Sequence, residues 1–179
     1  MDMPEFVYDT EEGTQTAVLD GLVGRPSLDD DGPRLMDTIA VSVTPEQRAS
    51  LLRIDNEDFS AISKKVRKEC NLTDEQIEAG ILGLKQYYAV ALLDSKNMHA
   101  VSDTIDPFWH THVLFTREYT DFCQEAFGYY LHHEPLDHDN VEKLDAAERL
   151  YNYTLGIYDK LFSFHQCEPL IRSRIICVH

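Results

Sequence analysis

The sequence predicts a mainly α protein: a compact single-domain bundle of about five helices behind an irregular acidic N-terminal arm. Three observations predict it. From Thr44 onward the apolar residues recur at steps of three and four, the helical period. Two of the predicted helix starts carry N-cap residues in the expected positions. The hydrophobic fraction of 43% and aromatic fraction of 10%, over 179 residues, suit one well-buried domain.

Residues 1–43 read as the arm and 44–179 as the helical domain. Met1 to Asp37 carries ten acidic and two basic residues, with the breaker cluster "DDDGP". Short apolar pieces, "FVY" and "AVLDGLV", punctuate the arm, and "TIAVSV" (Thr38 to Val43) predicts a strand. Thr44 followed by Pro45 then starts the first helix, to about Ile54. Phe59, Ile62 and Val66 set a second, ending near Cys70. Thr73 caps a third, with Gln76 three residues on completing a capping box. Ile77, Ile81, Leu84, Tyr88 and Leu92 lie on one face of it, and it ends near Asp94. A polar connection, "SKNMHAVSDT", leads to a fourth helix over 106–127, with Gly128 as its stop. The fifth, from about Asn140 to Phe164, places Leu144, Ala147, Tyr151, Leu155, Tyr158 and Phe162 along one face. The tail "HQCEPLIRSRIICVH" reads as a short strand or an extended strap.

A net charge of −16 and a pI near 4.7 exclude nucleic-acid binding, which needs clustered Lys and Arg. The acidity fits either plain solubility or steering toward a basic protein partner. No apolar run approaches the roughly 20 residues of a membrane span. The acidic start lacks the segments of a signal peptide, so the expectation is a cytoplasmic protein with reduced cysteines.

Chemistry concentrates in "DPFWHTHVLFTREYTDFCQEAFGYYLHHEP", Asp106 to Pro135, which holds the single tryptophan and four of the eight histidines. Wound as one helix, 106–127 divides into two faces. Trp109, His112, Phe115, Tyr119, Phe122 and Cys123 share one; Asp106, His110, Arg117 and Asp121 share the other. Two arrangements of metal-ligating residues are open. In one, Asp106 and His110, four apart on one face, pair so that the carboxylate orients the imidazole. In the other, His112 and Cys123 face inward and His132 or His133 folds back beside them. From His112 to the helix end is about 22 Å, and five extended residues return at most about 17 Å. Reaching Cys123 is therefore easy and reaching His112 marginal. Each candidate also has a purely structural role open to it: Asp106 as a helix cap, His112 as a hydrogen-bonded core residue, Cys123 as a small hydrophobe and the His132–His133 pair as solvated loop. Zinc is the default metal for a set of His, Cys and carboxylate. A weaker set, His165, Cys167, Cys177 and His179, lies in the tail. Phosphate loops, nucleophile elbows, H-E-x-x-H and C-x-x-C are absent from the sequence.

The stretch resembles the small bacterial relatives of the plant glycine-rich domain-containing proteins. The resemblance rests on Asp106, Trp109, His110, Tyr119, Cys123, Phe127, Gly128, His132, His133 and Pro135, with "GLKQYY" at Gly83 to Tyr88, and spans roughly residues 73–136. It implies emphasis on Asp106 and His110, then on the His132–His133 pair. It implies no activity, and with eight glycines in all this chain has no glycine-rich region.

The expectation is thus a helical protein with a candidate metal- or ligand-binding site on the Trp-His helix and the His-His loop. Catalytic residues, and whether there is an enzyme at all, stay open; in an enzyme His110 would be base or ligand, oriented by Asp106. The alternative is an acidic binding protein (adaptor, inhibitor or immunity-type) that neutralises a basic partner.

Overall fold

The computed structural model describes residues 34–135, 141–166 and 177–178. Most of the acidic arm, residues 1–33, lies outside them, as do Cys167 and His179 of the tail. The described part is mainly helical, with seven helices among the described residues. They are α1 (Leu35–Thr38), α2 (Pro45–Asp55), α3 (Ser60–Cys70), α4 (Asp74–Leu93), α5 (Asp106–Leu114), α6 (Thr116–Ala126) and α7 (Val141–Leu161). Three two-residue strands, β1 (Ala100–Val101), β2 (Glu134–Pro135) and β3 (Cys177–Val178), form an antiparallel sheet in the order β1-β3-β2. Its register pairs Ala100 and Glu134 with Val178, and Val101 and Pro135 with Cys177. No helix among the described residues is long and apolar enough to cross a membrane.

Local signals fix the helix starts. Thr44 and Thr73 each accept from the backbone N–H three residues on, and Gln47 and Gln76 answer with their side chains. These reciprocal bonds satisfy donors that a helix start otherwise leaves open. Asn71 ends α3 in the left-handed region, φ 53°, a conformation asparagine tolerates.

The strand expected over Thr38–Val43 is corrected. Thr38 closes α1, with its hydroxyl donating to the Leu35 carbonyl, and only Ile39 pairs, in a single bridge with Phe162. A buried carboxylate organises this corner. Asp55 accepts from the Leu35 N–H at 2.9 Å, from Arg34 at 3.2 Å, and faces Lys85 at 3.5 Å.

α4 is the central helix, buried on nearly every side, with Tyr87 and Tyr88 wholly inside. Apolar residues all round are what a helix at the middle of a bundle requires. Against it packs α5, and two glycines allow the close crossing. A Cβ on Gly80 would lie 2.1 Å from Cζ of Phe108, and one on Gly83 would lie 3.1 Å from Ile105.

The fourth predicted helix is two. Phe115, at φ −81° and ψ 61°, interrupts it, and its N–H donates to the His112 carbonyl at 3.0 Å. His112 and Tyr119 stand seven apart, so the apolar period runs straight through the break. Neither glycine nor proline marks it.

Candidate metal centre

A turn from Ser102 to Ile105 leads into α5, with the Asp106 N–H donating to the Ser102 carbonyl at 2.9 Å. Ile105 is the N-cap and makes no side-chain cap bond. Asp106 is therefore the first helical residue, and its carboxylate is not committed to capping. It is buried, at the positive end of the helix dipole, where a negative charge is favoured. Its Oδ1 lies 3.2 Å from Nε2 of His133. His110, one turn along the same face, is exposed, and its ring stands edge-on to that of His133 at 5.3 Å between centroids. One ligand atom from each of Asp106, His110 and His133 falls within 4.8 Å of the others; this group could hold a metal ion.

His133 comes to this place by a loop that α6 holds. Gly128 ends α6 with φ +77°, and its N–H donates to the carbonyls of Cys123 and Gln124. A glycine meets such a φ without strain. Buried Tyr119 accepts from the Trp109 indole N–H at 3.0 Å and donates to the Leu131 carbonyl at 2.6 Å. Burial pushes the Tyr119 phenol far above its usual value, so it stays a donor. Burial also raises the Cys123 thiol, opposed by a hydrogen bond from the Leu131 backbone. The His133 ring rests on Trp109, 4.5 Å between centroids.

The other sequence candidates lie apart from this group. His112 is 2% exposed and enclosed by the rings of Phe59, Tyr119 and Phe122. Its Nδ1 lies 2.7 Å from the Tyr88 hydroxyl, and burial pulls its pKa down to about 4. Burial holds Tyr88 well above the usual phenol value, so the bond joins a neutral phenol to a neutral imidazole. Cys123 is buried and free. His132 is exposed and turns to Tyr130, 4.9 Å between rings. Of the two arrangements open from the sequence, the first is seen in part, since Asp106 and His110 stand in one group that His133 completes, and the second is not. Asp106 bonds His133 and not His110, and His133 folds back to Asp106 and not to Cys123 or His112. In the tail, His165 pairs with Asp159 at 3.0 Å.

Tyr119 and Leu131 escape a search for ligands, since neither is one. The available signal is the spacing of Tyr119 and Cys123, four apart on one helix face, aimed at the loop that follows.

The comparisons with known proteins bear on lineage. The family model that matches is that of the UCP032817-like family, over residues 48–152. The chain belongs to the UCP032817-like family. The matched region runs from within α2 to within α7 and includes Asp106, His110 and His133. This corrects the resemblance to the glycine-rich domain-containing proteins, a family that the match does not show. Trp109, Tyr119, Phe127 and Gly128, which carried much of that resemblance, are core and turn residues here. No curated protein and no solved structure matches the chain.

Proposed function

We propose that the chain is a metal-binding protein with a mononuclear centre of Asp106, His110 and His133, zinc being the metal its donors favour. The observation that carries this reading is the convergence of two imidazoles and one carboxylate within 4.8 Å. Ligand atoms about 2.0–2.2 Å from a tetrahedral zinc lie about 3.3–3.6 Å from one another. The 3.2 Å between Asp106 and His133 is close to such an edge. His110, the third donor, is exposed, and its ring already stands against that of His133.

Three protein ligands leave a tetrahedral ion one position for water or substrate, the pattern of catalytic sites as opposed to closed structural ones. The exposure of His110 gives that position access to solvent. A metal bound there would act as a Lewis acid and lower the pKa of its water. Trp109, beneath His133, supplies a rigid apolar floor.

Titrating metal-free protein with zinc in a calorimeter tests the reading. One equivalent with sub-micromolar affinity, lost in His110→Ala and His133→Ala but kept in His132→Ala, is the expected result. Absence of binding in the wild type refutes it. A second reading, an acidic protein that neutralises a basic partner, is favoured by the net charge of −16. It expects association that weakens as salt screens the charges and that ignores chelators.

A further inference from the structure

We propose that Tyr119 is the positioning residue of this centre: its hydroxyl grips the Leu131 carbonyl and thereby places His133 against Trp109 and Asp106. For its functional meaning the inference rests on the metal reading; its geometry stands by itself.

Two of the three ligands share α5, where helix geometry sets their spacing. The third does not. His133 sits in a segment without regular structure from Gly128 to β2, and something must hold that backbone. Leu131 is the point of attachment. Its side chain is buried and its carbonyl accepts from Tyr119. In an extended segment alternate residues face alike. With Leu131 fixed inward, His133 also faces inward and His132 faces out, as their burial shows.

Tyr119 further ties the loop to the helix that carries the other ligands. Its oxygen accepts from Trp109 Nε1 while its proton goes to Leu131, and the same Trp109 ring supports His133. A phenol has one proton to give, so replacing Tyr119 by Phe leaves both the indole N–H and the Leu131 carbonyl without this partner. The ring packing of Tyr119 with His112 would survive that change.

The test compares wild type, Tyr119→Phe and Tyr88→Phe. The last is a matched control: it removes another buried phenol hydroxyl from the same core, one bonded to His112. In metal-free protein, NMR would follow the His133 ring protons, assigned by their loss in His133→Ala and displaced by the Trp109 ring current. Cobalt(II) titration would give affinity and the visible spectrum of the bound ion. Tyr119→Phe is expected to return the His133 signals toward free-imidazole positions and to weaken cobalt binding by about tenfold or more. Tyr88→Phe is expected to change neither.

Wild-type signals and affinity in folded Tyr119→Phe would overturn the proposal, as would equal losses in Tyr88→Phe. Should Tyr119→Phe not fold, Leu131→Ala, which removes the buried side chain at the same point of attachment, carries the same expectation. Should the wild type bind no cobalt, the metal reading falls and the NMR shifts alone decide the positioning.

Discussion

His112 should make the fold acid-sensitive by an amount that can be worked from its surroundings. Burial among Phe59, Tyr119 and Phe122 lowers its pKa from 6.5 to about 4, and the Tyr88 hydroxyl is hydrogen-bonded to its neutral ring. The unfolded chain takes up this proton first, since its histidine titrates near 6.5. Stability from neutral His112 is therefore fully present above about pH 6.5, falls as the pH falls, and levels off below about 4. Between pH 7 and pH 4.5 the loss is about 2–3 kcal/mol. Other groups titrate over this range too, so the decisive quantity is a difference. His112→Phe keeps a ring in the cage and cannot protonate. It leaves the Tyr88 hydroxyl unpaired at a cost of about 1–3 kcal/mol that does not depend on pH here. Urea unfolding of both proteins at pH 4.5, 5.5, 6.5 and 7.5 should show the wild type's advantage shrinking by about 2–3 kcal/mol on acidification. An advantage constant within about 0.5 kcal/mol would refute the reasoning, because a histidine inside an apolar cage cannot titrate as a solvated one does.

Four further predictions concern the frame that holds the site. Gly80→Ala gains about 1 kcal/mol of helix propensity but drives a Cβ into the rigid Phe108 ring, which costs about 1–3 kcal/mol or more; a lower urea midpoint is expected. Gly156→Ala, whose added Cβ meets nothing within 4 Å, should raise the midpoint instead. Asp55→Asn takes the charge from a buried carboxylate facing Arg34 and Lys85, and should destabilise by about 3 kcal/mol in the same assay. Thr73→Ala removes the cap of α4 and should cost about 1 kcal/mol, while the circular dichroism of the folded state stays unchanged.

Legibility in the sequence divides along the range of the interactions. The starts of α2 and α4 are readable because a capping box closes within four residues, and the end of α6 because Gly128 must adopt a positive φ. Thr38–Val43 misleads because β-branched residues suit a strand locally, whereas the Asp55 carboxylate, reached only in the folded chain, draws Leu35–Thr38 into a helical turn. The break at Phe115 leaves no mark, since the apolar period passes through it. Within the site, Asp106 and His110 are neighbours by helix geometry alone. That His112 belongs to the core follows from a hydroxyl on α4, and that His133 turns in while His132 turns out follows from Tyr119 on α6. The first partner lies beyond any local pattern, and the only local sign of the second is Tyr119 standing four from Cys123 on one helix face.

The most direct measurement is the metal content, by elemental analysis, of untagged protein beside its His110→Ala, His133→Ala and His132→Ala variants. Near-stoichiometric zinc or another transition metal in the wild type and in His132→Ala, lost from the other two, is what the Asp106–His110–His133 centre predicts. A wild type that carries no metal even after incubation with zinc, cobalt or iron would contradict it. The contact between Asp106 and His133 would then be a hydrogen bond serving the fold alone.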